Sequence, residues 1–215
     1  MPQDSLKINE IFYSLQGESS RVGLPTIFIR LSGCPLRCTW CDTEYAFSGG
    51  QVMDLEAILA AAGQYPCRRV CVTGGEPLAQ KACPRLLTAL CDAGYDVSLE
   101  TSGALDVSQV DSRVAKIMDL KAPGSGEEAR NCWENLAYLT PRDELKLVLS
   151  DRRDYDWAVR QLRDRGLARR CAVLFSPVQG HLEPADLAAW ILEDGLPVRF
   201  QLQLHKVLWG NMRGK

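Results

Sequence analysis

The chain has 215 residues, with 27 acidic side chains against 25 basic ones and 46% hydrophobic residues. A net charge of −2 leaves no cationic surplus to neutralise a phosphate backbone, which argues against nucleic acid as a partner. The first 25 residues lack a basic start followed by a long apolar run, and no stretch approaches the roughly 18 apolar residues of a membrane span, so a cytoplasmic setting with no membrane association is expected. In that reducing setting nine cysteines are an anomaly, because disulfides do not persist there and an odd number cannot pair completely.

In chain order, residues 11–19 read I-F-Y-S-L-Q-G-E-S, an edge strand ending in a glycine turn. β-rich runs follow at 26–31, 69–73, 96–101, 115–120, 144–149, 171–175 and 198–204, with helix-like segments at 54–62, 81–93, 154–165 and 184–193. Most of the strand runs lack clean polar alternation, which suits strands covered on both faces. The β-α order argues for a parallel sheet with helices outside it. Pro123, Gly124 and Gly126 break any long helix in 106–135, so at least one crossover is reduced. These elements are too few for a closed eight-fold barrel, which takes about 250 residues. The expected fold is therefore α/β, a partial, open TIM-like barrel of about six parallel strands with reduced helical crossovers. No linker or repeat divides the chain, so one domain spanning 1–215 is expected. In such barrels the chemistry sits in loops after the C-terminal ends of strands.

The loop after the first parallel strand holds Cys34, Cys38 and Cys41 in a C-x3-C-x2-C array. Composition alone yields that spacing with a chance of about 1 to 2%. A structural zinc site needs a fourth ligand, and the chain offers only His181, His205 and six scattered cysteines. Three thiolates on a four-iron cluster instead leave one iron open to a non-protein ligand. Of the other cysteines, Cys67 and Cys71 invite an auxiliary-cluster reading, but the V-C-V context favours burial. The second strand ends in V-T-G-G-E-P, Val72 to Pro77, where two glycines allow close approach to the backbone. Glu100 to Gly103, Asp119 to Lys121 and Ser176 to Gly180 add polar groups at successive strand ends, which as a set point at one cavity.

The cysteine array, with Trp40 before its last cysteine, resembles the cluster loop of the radical S-adenosylmethionine superfamily, and Gly74 to Pro77 resemble its G-G-E-P element. That resemblance implies a [4Fe-4S] cluster on Cys34, Cys38 and Cys41, with S-adenosylmethionine chelating the open iron as a radical source. S-L-Q-G-E, F-I-R-L-S-G-C, C-D-T, E-T-S-G, D-L-K, S-P-V-Q and the closing H-K resemble the 7-carboxy-7-deazaguanine synthase family of queuosine and other 7-deazapurine biosynthesis, across nearly the whole chain. The implied activity is a lyase acting on 6-carboxy-5,6,7,8-tetrahydropterin with loss of ammonia. The family's pattern places substrate on Leu15, Gln16, Gly17, Arg30 and Thr73, making residues 1–25 a substrate-binding extension. Arg30 suits a carboxylate, since its planar fork can donate two parallel hydrogen bonds. The pattern places S-adenosylmethionine on Trp40, Cys41, Asp42, Gly75, Asp119, Leu120, Lys121, Ser176, Pro177, Val178 and Gln179, and Mg2+ on Thr43. A flavodoxin-type reductant and a homodimer are also implied. Two departures stand out: Asp119-Leu120-Lys121 replaces an S-P-K seen in other members, and the chain runs on through Trp209, Gly210, Asn211 and Met212 to Lys215 where some members bring a C-terminal carboxylate to the substrate. Two other readings of the cysteine loop are a glycyl-radical activase and a non-enzymatic zinc module.

Overall fold

The computed structural model describes residues 4–210 and 212–215; Asn211 lies outside them. Strand β1 (Ser5–Leu15) pairs antiparallel with β2 (Pro25–Leu31) on one side and with β3 (Gln51–Asp54) on the other. From β2 the sheet continues in parallel through β4 (Arg69–Gly74), β5 (Asp96–Thr101), β6 (Ala115–Leu120), β7 (Glu144–Leu149), β8 (Ala172–Pro177) and the two-residue β9 (Arg199–Phe200). The order is β3-β1-β2-β4-β5-β6-β7-β8-β9, an open sheet of six full parallel strands and a stub with an antiparallel edge.

Four helices fill crossovers: α1 (Leu55–Ala62), α2 (Cys83–Asp92), α3 (Arg152–Asp164) and α4 (Pro184–Glu193). Their starts follow from local chemistry. Asp54 accepts from the Ala57 N–H at 2.7 Å, and Asp151 from the Asp154 N–H at 2.9 Å, satisfying amides that have no partner inside the helix. Between β5 and β7 the described residues form no α-helix, only 3-10 turns at Pro123–Ser125, Glu128–Arg130 and Trp133–Tyr138. The reduced crossover expected there is present twice over.

Three elements differ from the sequence expectation. Strand β1 starts at Ser5, and β3, too short to be seen in the sequence, pairs with Ser5–Ile8; only Ile11–Leu15 form the expected edge. The run at 198–204 yields only Arg199–Phe200, and α5 (Leu204–Trp209) begins where strand was expected. The chain is drawn off the sheet by the Gln201 side chain, which bonds both the Ser19 N–H and the Ser19 carbonyl at 2.7 Å, and by the Leu204 N–H on the Gly17 carbonyl at 2.9 Å.

The two-residue period of each strand sorts its side chains. Ile27, Ile29 and Leu31 of β2, Val70 and Val72 of β4, and Val97 and Leu99 of β5 pack with α1 and α2 in one apolar cluster. Met118 and Leu120 of β6, Leu145, Leu147 and Leu149 of β7, and Val173 and Phe175 of β8 join α3 and α4 in a second. The intervening residues Phe28, Arg30, Thr73, Glu100, Ile117, Asp119, Lys146 and Val148 line a single cavity on the other face. The strands are covered on both faces, as expected, but the cavity face carries charge, and α5 and the tail cover it. No helix among the described residues is long and apolar enough to cross a membrane.

Gln201 is buried and its two bonds are the clasp between the loop after β1 and the end of the sheet. Replacing it with Leu orphans both Ser19 backbone groups, and urea unfolding of the metal-free protein is expected to lose about 1–3 kcal/mol with an unchanged m-value.

Candidate active site

The cavity measures about 840 Å3 and opens at the C-terminal ends of the parallel strands. Cys34, Cys38 and Cys41, each half-buried, border it from the loop after β2. That loop is seated by Leu36, 1% exposed, and by Gly33 N–H on the Ala46 carbonyl at 2.8 Å. Burial pushes all three thiols above their ordinary pKa; for Cys38 the nearby Lys121 ammonium works against that rise. No three His, Cys, Asp or Glu side chains among the described residues converge at single-ion spacing. The thiols border instead a space wide enough for a polynuclear group, and soft thiolates are the donors an iron–sulfur cluster takes.

The G-G-E-P loop after β4 closes tightly on the cysteine loop. A Cβ on Gly75 would lie 2.3 Å from the Gly33 carbonyl oxygen and 2.8 Å from Cys34 Cβ, so only glycine fits. Glu76 is fully buried and does not face the cavity; it accepts from Thr101 Oγ1 at 2.9 Å, the Ser102 N–H at 2.7 Å and the Leu78 N–H at 3.0 Å. It ties the end of β4 to the end of β5.

Beyond the cysteines, Gln16 Nε2 donates to Glu100 Oε1 at 3.1 Å and Thr73 Oγ1 to Glu100 Oε2 at 3.1 Å. Arg30 Nε donates to Glu10 Oε1 at 2.7 Å, Tyr45 OH donates to the same oxygen at 2.8 Å, and the guanidinium lies 5.8 Å from the ring centres of both Phe12 and Tyr45. Burial pushes the Tyr45 phenol up to about 12, so it remains a neutral donor. Both terminal nitrogens of Arg30 lack an acceptor among the described residues.

A run of buried charge crosses the floor. Glu18 pairs with Lys146, Lys146 Nζ lies 3.5 Å from Asp119 Oδ2, and Lys121 Nζ lies 3.0 Å from the same oxygen. Burial alone would neutralise Glu18 and Lys146, yet Lys146 holds the Glu18 carboxyl below its ordinary pKa, and Glu18 and Asp119 hold the Lys146 ammonium well above its own. The C-terminal segment closes the roof: Gln203 Nε2 donates to Glu18 Oε1 at 2.5 Å, Lys206 Nζ sits 3.0 Å from Asp42 Oδ2, and Arg213 lies 4.0 Å over the Tyr45 ring. A Cβ on Gly17 would meet His205 Nδ1 at 2.1 Å, which accounts for the glycine in L-Q-G-E.

Of the residues expected at the site, Leu15, Gln16, Gly17, Arg30, Thr73, Trp40, Asp42, Thr43, Gly75, Asp119, Lys121, Val178 and Gln179 line this cavity together with the three cysteines. Leu120 does not; it faces the helices in β6. Ser176 and Pro177 are buried in β8 away from the wall, and Ser176 Oγ has no hydrogen-bond partner. The sequence reading missed Glu10, Glu18, Lys146, His205 and Lys206 as site residues, and it named Glu100 only as a polar group at a strand end. Lys146 carried a signal, a charge at the middle of E-L-K-L-V-L; Glu18 and His205–Lys206 lay inside quoted motifs.

The pattern of the radical S-adenosylmethionine superfamily matches residues 28–125. The 7-carboxy-7-deazaguanine synthase of Chlorobaculum tepidum is 48% identical over 207 residues, which cover 95% of this chain and 94% of that protein. The chain belongs to the 7-carboxy-7-deazaguanine synthase family. The synthase of Koribacter versatilis is 45% identical over 95% of this chain and 97% of its own. The crystal structure of QueE from Escherichia coli superposes with a TM-score of 0.75 at 26% identity, over 94% of this chain and 95% of that one. The protein is accordingly a radical S-adenosylmethionine enzyme with a [4Fe-4S] cluster and S-adenosylmethionine as its cofactors.

Burial raises the Asp42 carboxyl, but Lys206, with the Thr43 hydroxyl and Lys146, outweighs it and brings the value down to about 2. Since the folded value lies below the ordinary value of about 3.9, the pair contributes stability above that pH and loses it as pH falls toward about 2. In the Lys206→Met variant of the metal-free protein, 13C NMR is expected to show the Asp42 carboxyl moving up toward about 3.9; an unmoved titration would separate the two side chains.

Proposed function

We propose that the enzyme converts 6-carboxy-5,6,7,8-tetrahydropterin into 7-carboxy-7-deazaguanine with loss of ammonia, within queuosine or another 7-deazapurine pathway. The observation that carries this reading is that the three cluster cysteines and a cation–carboxylate pair suited to a carboxypterin, Arg30 and Glu100, line one cavity. The name shared by relatives covering nearly the whole chain supports it.

Cys34, Cys38 and Cys41 hold the cluster. When bound, the cluster supplies the electron that cleaves the sulfonium of S-adenosylmethionine. Trp40, Cys41, Asp42, Gly75, Asp119, Lys121, Val178 and Gln179 border the space for S-adenosylmethionine, with Leu120, Ser176 and Pro177 contributing backbone or packing. Arg30 turns its two terminal nitrogens to the pterin carboxylate, held in place by Glu10 and the Phe12 and Tyr45 rings. Glu100, fixed by Gln16 and Thr73, keeps lone pairs for the amino-pyrimidinone edge of the ring. Leu15 and Gly17 complete the substrate wall. The Thr43 hydroxyl proton is committed to Asp42 Oδ1 at 2.8 Å, which leaves its oxygen lone pairs for Mg2+, an ion that takes few protein oxygens and completes its shell from water and substrate. Residues 1–25 form the substrate-binding extension of a single domain, 1–215. The enzyme works in the cytoplasm as a homodimer with a flavodoxin-type reductant.

Reconstituted anaerobically and given reductant, S-adenosylmethionine, Mg2+ and the carboxytetrahydropterin, the protein is expected to release 7-carboxy-7-deazaguanine and ammonia in equal amounts; no product from a fully loaded cluster overturns the reading. Arg30→Ala is expected to raise KM for the pterin about 10- to 100-fold, the loss of hydrogen bonds between charged groups, while S-adenosylmethionine cleavage without pterin stays at the wild-type rate. Thr43→Val is expected to raise the Mg2+ concentration needed for half-maximal turnover.

A further inference from the structure

We infer that Asp154, in the first turn of α3, is a positioning residue for the cluster-binding loop, acting through the turn at 122–127. The inference rests on the reading that Cys34, Cys38 and Cys41 hold the cluster.

The loop between the cysteines buries little of itself: Pro35, Arg37 and Thr39 are exposed. Besides the buried Leu36, its grip on the rest of the molecule comes from the turn after β6. The Thr39 N–H donates to the Ser125 carbonyl at 3.1 Å, Thr39 Oγ1 to the Gly124 carbonyl at 2.8 Å, and the Arg37 N–H to Glu127 Oε1 at 2.5 Å. These bonds bracket Cys38 on both sides. The turn that accepts them is itself pinned. Asp154, 1% exposed, takes the Gly124 N–H on Oδ1 at 2.7 Å, and the Ser150 N–H and hydroxyl on Oδ2 at 3.0 and 2.6 Å. A Cβ on Gly124 would lie 2.6 Å from Asp154 Oδ2 and 2.5 Å from Ser150 Oγ, so the turn lies flush against the carboxylate. The helix N-terminus favours the negative charge. A path of named hydrogen bonds thus runs from the base of α3 to the residues on either side of one thiolate, and Asp154 itself touches no cofactor space. Partners one step behind a metal ligand typically change metal affinity about 10- to 100-fold when removed, and Asp154, which acts through Gly124 and Thr39, belongs at the low end of that range.

The test compares Asp154→Asn and Thr39→Val with Asp143→Asn. Asp143 is an equally buried carboxylate, accepting from the Lys116 N–H and Thr140 N–H at 2.7 Å, and is not bonded to the 122–127 turn. Iron release to a chelator from the reduced, reconstituted protein is the first readout, and amide hydrogen exchange of Arg37 and Thr39 in the metal-free protein the second. Asp154→Asn and Thr39→Val are expected to release iron about 10-fold faster and to exchange those amides faster, whereas Asp143→Asn lowers the melting temperature and leaves both at wild-type rates. Thr39 is exposed, so its variant folds even where Asp154→Asn does not. Wild-type release from Thr39→Val and Asp154→Asn, or equal acceleration in Asp143→Asn, overturns the inference alone; a wild-type protein that takes up no iron overturns the cluster reading with it.

Discussion

The alternation of side chains along six parallel strands is the constraint on which this molecule depends. Each strand sends every second residue into an apolar cluster with a helix and the others to the opposite face, so the site is written into the strands at a spacing of two. Arg30 lies between Ile29 and Leu31, Thr73 follows Val72, and Lys146 lies between Leu145 and Leu147. The residues that face the cavity are held by the packing of their neighbours in sequence. A one-residue slip would put every charge into the helices and every leucine into the cavity. The loops after β2 and β4 then need only extend this wall, and the contact at Gly75 locks the two together.

Carrying charge on a sheet face covered by chain is costly unless every charge has a partner. The protein meets that condition by distributing partners over distant segments. Glu18 comes from the loop after β1, Lys146 from β7, Asp119 and Lys121 from the end of β6, and Gln203 from the run into α5. The same arrangement explains why the tail stays on the cavity: Lys206 and Gln203 each satisfy a carboxylate, Asp42 and Glu18, on the rim below. The reacting space is thus enclosed by ion pairs rather than by an apolar lid, which keeps polar groups around a polar substrate.

What was legible in the chain was local. The C-x3-C-x2-C array, the G-G-E-P turn and the strand bounds of β5, β6 and β7 rest on spacing and period within a few residues, and they match the structure. The 106–135 stretch announced its lack of helix through Pro123, Gly124 and Gly126. What was not legible is long-range. The Glu18–Lys146 pair spans 128 residues, and nothing beside either residue announces the other. β3 is four residues of an exposed edge with no hydrophobic pattern, and α5 was not read at all, because its Val207 and Leu208 lie on the exposed side and give no buried stripe. Lys146 was visible as a charge within a strand, but its place beside Asp119 and Glu100 follows only once the strands are laid in order.

Catalysis on the pterin requires that one cavity hold cluster, S-adenosylmethionine and substrate at once. An anaerobic crystal structure of the reconstituted enzyme with S-adenosylmethionine and 6-carboxy-5,6,7,8-tetrahydropterin tests this directly. The pterin carboxylate is expected on both terminal nitrogens of Arg30, the amino-pyrimidinone edge against Glu100, and a cluster on Cys34, Cys38 and Cys41 with its fourth iron facing S-adenosylmethionine. A pterin bound away from Arg30 and Glu100, or three cysteines closing on a single ion, would contradict this placement.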